Sequence, residues 1–118
     1  MTQYSAEGDR VALVVGGASG IGNATACLFR ERGWKVVIAD RSEEVCIRAA
    51  HELGAAPIVM NITSETSVRE GAEKIYASFG APHALVNCAG MLIPVARPEA
   101  LSMADWDRMM AVNLRGVY

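Results

Sequence analysis

Four short runs of apolar residues alternate with segments of helical periodicity, and this alternation limits the fold of the chain more than any other feature of its sequence. The runs are Val11–Val15, Lys35–Ala39, Pro57–Met60 and Ala84–Asn87. They are nearly continuous in apolar residues, which is typical of strands whose two faces are both covered, as in a parallel sheet. Because strands separated by helices favour right-handed βαβ crossovers, the sequence predicts an α/β fold with about four parallel strands.

The intervening segments carry apolar residues at helical spacing, which predicts flanking helices. The three stripes are Ile21, Ala24, Leu28 and Phe29; Cys46, Ala49, Ala50 and Leu53; and Val68, Ala72, Ile75 and Phe79. Serines are favourable N-caps and glycines commonly follow helix ends. The predicted boundary residues are Ser42, Ser64, Gly33, Gly54 and Gly80. A fourth helix is predicted to begin after Ser102 and to include Trp106.

Composition narrows the possible partners and the compartment. The 118 residues, 52% of them hydrophobic, suffice for one domain, and a net charge of −2 gives no basic face for a nucleic acid. No apolar stretch approaches the roughly 20 residues of a membrane span, and no signal peptide is evident. Three cysteines without C-x-x-C spacing indicate reduced thiols in a cytoplasmic protein, and the two isolated histidines predict no metal site.

A glycine-rich segment, Gly16–Gly22, lies between the first predicted strand and its helix. Glycine lets a phosphate approach the backbone, and the helix N-terminus that follows favours an anion. No G-K-S/T follows, which excludes the nucleotide-triphosphate P-loop. A tight turn that binds nothing is the alternative.

Asp40 ends the second predicted strand, 20 residues after Gly20. An acidic residue at that separation is placed to accept hydrogen bonds from the hydroxyls of an adenosine ribose, and it would repel a 2′-phosphate. The sequence therefore favours NAD over NADP, although Arg41 could stack on adenine or meet that phosphate. The alternative role for Asp40 is to cap the next turn.

Four landmarks resemble the short-chain dehydrogenases/reductases, and the resemblance runs through essentially the whole chain. Gly16–Gly22 resembles that family's T-G-x-x-x-G-x-G, and Asn61-Ile62-Thr63 resembles its D-V/L-T adenine contact. Leu85–Gly90, LVNCAG, resembles its L-V-N-N-A-G. Trp106–Val117 resembles the helix that carries its catalytic asparagine, here Asn113.

Three positions depart from the family pattern. Matched to the motifs, Gly16 stands in place of a threonine whose hydroxyl braces the loop, and Cys88 replaces the second asparagine of N-N-A-G. Asn61 replaces an aspartate, and its amide oxygen is expected to accept a hydrogen bond from the adenine amine in the same way.

The resemblance implies a Rossmann-type doubly wound parallel sheet, of which residues 1–118 would be the NAD-binding first half, incomplete at the C-terminus. It implies hydride transfer between nicotinamide and an alcohol or carbonyl substrate in a homo-oligomer, a dimer or a tetramer, with Asn113 holding a water of the proton relay. The residues expected to contact the cofactor are Gly16, Gly17, Ser19, Gly20, Ile21, Gly22, Asp40, Arg41, Asn61, Ile62, Asn87, Ala89 and Gly90.

The family's serine and Tyr-x-x-x-Lys pair are missing from these residues. Neither Tyr4 nor Tyr76 is followed by lysine four residues later. Without a proton donor the 118 residues alone are predicted to be inactive. The alternative function is a truncated, non-catalytic nucleotide-binding or interaction protein. A methyltransferase is disfavoured by the glycine spacing and by Asn87–Gly90.

Overall fold

The chain folds as four parallel strands with helices on both faces, and a computed structural model describes residues 9–94 and 97–118. The strands are β1 (Val11–Val15), β2 (Lys35–Asp40), β3 (Ala56–Val59) and β4 (Ala84–Asn87). Their order in the sheet is β3-β2-β1-β4. The predicted Rossmann-type arrangement is confirmed, with β2 one residue longer than predicted and β3 beginning and ending one residue earlier.

Four α-helices connect or follow the strands. They are α1 (Gly20–Glu31), α2 (Glu43–Leu53), α3 (Glu65–Phe79) and α4 (Met103–Met110). A short 3-10 turn, Pro98–Ala100, precedes α4, and a π-helical turn, Ala111–Arg115, follows it. The fourth helix thus begins after Ser102 as predicted, but its regular α-helical part ends earlier than the apolar pattern indicated.

Alternate residues of the strands face two separate layers of core. On one face, Val14 and Ile38 pack in a buried cluster with Ala26 of α1 and Cys46 of α2. On the other face, strand residues such as Val37 pack with residues of α3. Both faces of the two central strands, β1 and β2, are therefore covered, which explains why these strands read as nearly continuous apolar runs.

The predicted stripe of α2 is confirmed. Cys46, Ala49 and Ala50 are buried, and Leu53 packs against the same cluster. The Cys46 thiol lies 3.7 Å from the Ile38 carbonyl oxygen and 3.6 Å from that of Ile58. Burial raises the pKa of this thiol above its ordinary value, so Cys46 is a packing residue rather than a nucleophile.

The predicted stripe of α1 is wrong in its orientation. Ile21 is 80% exposed and Leu28 is 49% exposed, whereas the buried residues are Gly22 and Ala26. Of the predicted stripe, only Phe29 packs against the core. The physical reason is that α1 lies too close to the sheet for large side chains, so residues with little or no side chain form its inner face.

The third helix agrees with its predicted stripe in part. Ile75 is buried and Phe79 packs beside it, but Val68 near the beginning of the helix remains partly exposed. The N-cap of α3 is Ser64, whose hydroxyl oxygen accepts from the Ser67 N–H at 3.2 Å. Ser42 occupies the N-cap position of α2 without such a side-chain bond.

The two outer strands of the sheet differ in their free edges. In β3, Pro57 pairs in register with Ile38. Three residues later, the Met60 N–H donates to the Asp40 carbonyl. Because N–H groups alternate in direction along a strand, the nitrogen of Pro57 faces away from the sheet. In β4, Leu85 is 65% exposed.

The inner face of α1 yields a test of this packing. We expect Ala26→Leu to lower the free energy of unfolding by about 1–3 kcal/mol, because Ala26 is fully buried where the helix contacts the sheet. Ala24→Leu is the matched control on the exposed side of the same helix, with a change within about 0.5 kcal/mol. Urea unfolding of both variants measures the difference, and equal losses would contradict the observed orientation of α1.

Candidate functional site

Most of the residues predicted to bind a ligand lie along one edge of the sheet. The segment Gly16–Gly22 follows β1, Asp40 ends β2, Asn61 follows β3 shortly after its last residue, and Asn87–Gly90 ends and follows β4. Because the four strands are parallel, these positions are all at their carboxyl ends. The crevice outside the carboxyl ends of strands is where open α/β sheets bind ligands.

Gly16 lies in direct backbone contact with the segment after β4. Its φ is +73°, and a Cβ atom there would lie 2.6 Å from the Ala89 nitrogen. A threonine cannot occupy this position, so matching Gly16 to the family's threonine is wrong. Counted back from Gly22, the eight-residue motif places its threonine at Val15, a buried residue at the end of β1. The hydroxyl that the family's threonine provides is therefore missing at position 15, where this chain has valine.

The loop is closely packed on its inner side and open at its tip. A Cβ atom at Gly17 would lie 2.8 Å from the Val14 carbonyl oxygen, and one at Gly22 would lie 2.1 Å from the Gly16 oxygen. At Gly20, where φ is +54°, a Cβ atom would meet nothing within 4 Å. Ser19 and Ile21, on either side of Gly20, are exposed. The open side of the loop thus faces solvent.

The open tip is also the N-terminus of α1. The Ser19 side chain occupies the N-cap position but makes no capping hydrogen bond to the helix. The first N–H groups of a helix have no partner within it, and together they carry a partial positive charge. The loop therefore offers an anion both space and donors.

Asp40 contacts the loop directly. Its Oδ2 accepts from the Ala18 N–H at 3.2 Å, and its Oδ1 accepts from the Arg41 N–H at 2.9 Å. The carbonyl oxygen of the preceding residue, Ala39, accepts from the Gly16 N–H at 2.7 Å. The carboxylate thus lies beside the glycine loop, as the spacing predicted, while Arg41 is exposed.

Asn61 is held by its own turn. Its Oδ1 accepts from the Thr63 N–H at 3.0 Å and from the Thr63 hydroxyl at 2.7 Å. Since a backbone N–H can only donate, this contact also fixes the orientation of the amide, with Nδ2 pointing away from the turn. With no ligand bound, Oδ1 is engaged by Thr63 and Nδ2 points away from the turn, and the contact of Asn61 with an adenine amine stays a prediction.

The segment after β4 continues the sheet past its last residue. The Cys88 N–H donates to the Val15 carbonyl at 2.8 Å, and Asn87 Oδ1 accepts from the Ala89 N–H at 2.9 Å. Gly90 is exposed next to Asn113. The backbone of residues 87–90 is thereby held against the glycine loop.

Asn113 is bound to this segment by both ends of its side-chain amide. Its Oδ1 accepts from the Met91 N–H, and its Nδ2 donates to the Met91 carbonyl, each at 2.8 Å. The side chain is thus occupied in joining the helical segment to the loop after β4. The main chain of Asn113 remains available for a contact with a further group.

The π-helical turn changes the backbone hydrogen bonds around Asn113. The Gly116 N–H donates to the Ala111 carbonyl, and the N–H groups of Val117 and Tyr118 both donate to the Leu114 carbonyl. Across residues 9–94 and 97–118, no backbone N–H donates to the Asn113 carbonyl oxygen. This oxygen is an acceptor with spare capacity.

Sequence reasoning missed Asn23. Its Nδ2 donates to the Gly17 carbonyl at 3.3 Å, so it holds the loop from the first turn of α1. Its position directly after the last glycine of the loop is the sequence signal that could have identified it. In the described part of the chain, no three His, Cys, Asp or Glu residues group as metal ligands, and no helix has the length and apolarity that a membrane crossing needs.

Comparison with known proteins places this geometry among proteins of one kind. Residues 10–118 match the family model described as short chain dehydrogenase. The chain is 36% identical to 3-oxoacyl-acyl-carrier-protein reductase of Thermotoga maritima, covering 92% of the chain and 46% of that protein. It is 41% identical to cis-4-hydroxycyclohexanecarboxylate dehydrogenase of Sinomonas cyclohexanicum, covering 92% of the chain and 45% of that protein.

A solved structure agrees in fold as well as in sequence. The 3-ketoacyl-acyl-carrier-protein reductase of Brucella melitensis, crystallised with NADH, superposes with a TM-score of 0.86 at 36% identity. The superposition covers 92% of this chain and 46% of that one. The chain spans slightly less than half the length of these relatives.

The contact at Gly16 gives a second test. We expect Gly33→Ala to lower the free energy of unfolding by about 1–2 kcal/mol, the strain of a positive φ in open space. Gly16→Ala has the same strain and also has to displace the Ala89 backbone, so its loss should be larger by about 1–3 kcal/mol. Chemical denaturation of the two variants decides, and equal losses would mean that the loop and the β4 segment are not in contact.

Proposed function

Because the chain belongs to the short chain dehydrogenase family of oxidoreductases, we propose that it binds NAD at the carboxyl edge of its sheet and serves hydride transfer between nicotinamide and an alcohol or carbonyl substrate. One observation carries the choice of cofactor. The Asp40 carboxylate lies against a glycine loop that is open at Gly20. A diol and a pyrophosphate are the ligand groups that fit these two features.

The described residues fit the phosphates and the ribose of such a cofactor. The N-terminus of α1, with Ser19, Gly20 and Ile21, would hold the pyrophosphate. Asp40 would accept from the hydroxyls of the adenosine ribose, since its carboxylate has about four lone-pair sites and the two backbone donors occupy only part of them.

The adenine base and the other half of the cofactor would lie at the ends of the neighbouring strands. Asn61 and Ile62 would flank the adenine, with the side-chain amide of Asn61 hydrogen-bonded to the base. Residues 87–90, held beside Gly16, would contact the cofactor near its second ribose. The chemistry that NAD supplies when bound is the uptake or release of a hydride.

Asn113 would act through its main chain. Its side-chain amide is occupied by Met91, and its carbonyl oxygen receives no N–H in the part of the chain that the structure describes. A carbonyl so placed can accept a hydrogen bond from a water molecule. We therefore assign to Asn113 the holding of a water that moves a proton to or from the reacting oxygen.

A homo-oligomeric state, a dimer or a tetramer, is part of the proposal. The helical segment from α4 through the π-helical turn exposes several large apolar side chains, including Trp106 at 47% and Leu114 at 62%. Contiguous exposed apolar surface of this kind marks interaction sites. A cytoplasmic location is also part of the proposal, since three cysteines without C-x-x-C spacing favour reduced thiols.

Cofactor preference tests the function. We expect NAD to bind more tightly than NADP by about tenfold or more, because a 2′-phosphate would meet the Asp40 carboxylate at close range. Calorimetric titration of the protein at its full natural length with both dinucleotides measures the ratio. Equal or tighter binding of NADP would contradict the role of Asp40, and binding of neither would contradict the dinucleotide site.

A second candidate function is nucleotide binding without catalysis. Tyr76 lies exposed on α3, and the residue four positions later is Gly80 rather than a lysine. Tyr76 therefore forms no tyrosine–lysine pair of the family's spacing for proton transfer. We expect residues 1–118 alone to form no NADH from a panel of secondary alcohols. Absorbance at the NADH band, with the full natural length as control, is the measurement. Turnover by the 118 residues would imply an acid–base group elsewhere, and its absence at full length would favour the binding protein.

A further inference from the structure

The glycine loop contains no polar side chain of its own between Val15 and Ala18. These four residues are Val15, Gly16, Gly17 and Ala18. A loop of this composition has to be held by groups from other elements, since its backbone N–H and carbonyl groups are the only polar atoms that it offers. The first polar side chain, Ser19, makes no capping bond to α1.

The end of β2 provides the acceptors for the N–H groups of the glycine loop. The Ala39 carbonyl accepts from the Gly16 N–H at 2.7 Å and, with a longer bond of 3.4 Å, from the Gly17 N–H. The Asp40 carboxylate takes the next N–H in the chain, that of Ala18, at 3.2 Å. Three successive N–H groups of the loop therefore end on two successive residues of β2.

We propose that Asp40 is a positioning residue for the glycine loop as well as the residue that selects the cofactor. Only the second role, selection of the cofactor, rests on the proposed function, because the contact between Asp40 and Ala18 is present without any ligand. A hydrogen bond to a charged acceptor is among the stronger ones in proteins, and Ala18 is only 9% exposed, so removal of the carboxylate leaves its N–H without a protein partner at a largely buried position.

One consequence separates the two roles. If Asp40 acts only on the ribose hydroxyls, removing the carboxylate leaves a ligand without those hydroxyls unaffected. If Asp40 also holds the loop, its removal weakens every dinucleotide whose pyrophosphate the loop binds. Substitution of Asp40 alone then lowers the affinity for NAD and fails to produce a tight NADP site.

The first measurement needs no ligand. Amide hydrogen exchange, followed by NMR in the protein at its full natural length, should be about tenfold or more faster at the Ala18 N–H in Asp40→Ala, with the Val14 N–H in β1 unchanged. Glu43→Ala removes an exposed carboxylate just beyond the same strand and is the control; it should change neither rate. Unchanged exchange at Ala18 in Asp40→Ala would overturn the proposal.

The second measurement uses an NAD analogue whose adenosine ribose is 2′,3′-dideoxy. We expect Asp40→Ala to bind this analogue about tenfold more weakly than the unsubstituted protein does. Equal affinities would overturn the proposal. If the unsubstituted protein binds neither NAD nor the analogue, the proposed function fails, and the exchange rate alone decides whether Asp40 holds the loop.

Asp40→Asn keeps the size of the side chain and one acceptor oxygen, and it replaces the alanine variant if that one fails to fold. Faster exchange at Ala18 in this variant supports the proposal, because an uncharged amide oxygen accepts a weaker hydrogen bond from the Ala18 N–H than a carboxylate does. Unchanged exchange overturns it.

Discussion

The structure depends on backbone meeting backbone at the turn between β1 and α1. Gly22 lies against the Gly16 carbonyl, and Gly16 lies against the nitrogen of Ala89, with no room for a Cβ atom at either glycine. These contacts bring the N-terminus of α1 to the carboxyl ends of β1 and β4. They also bring the rest of α1 so near to the sheet that Ala26 is its fully buried contact. The position of the open loop tip at Gly20 follows from the same close approach.

The parts of the fold that the sequence predicts are those in which apolar size follows burial. The four strands are buried on both faces or lie at the sheet edges, and the buried stripe of α2 consists of apolar residues that contact the core. On α1 the relation is reversed, since the smallest side chains face inward and Leu28 faces outward. Periodicity measures where apolar residues recur, and it does not reveal how closely a helix approaches the sheet.

The π-helical turn escaped prediction for a different reason. No glycine or proline marks residues 111–115, and the apolar pattern continues through them. The turn coincides with Asn113, whose side-chain amide bonds the backbone N–H and carbonyl of Met91, 22 residues away. Such a contact belongs to the tertiary structure. By contrast, the turn at Asn61 had a local signal, because an asparagine two residues before a threonine commonly binds the backbone of its own turn.

The two edge strands of the sheet, β3 and β4, differ in their capacity to pair with a further strand. At β3 the outward side has a proline nitrogen where a donor would be, so a further strand cannot form a complete ladder there. At β4 the outward side has no proline, and Leu85 stands exposed beside it. Any strand that joins this sheet, from this polypeptide or from another, is therefore expected to extend it past β4. Self-association of partly folded molecules would begin at that edge as well, because unpaired backbone groups lie there beside an exposed leucine.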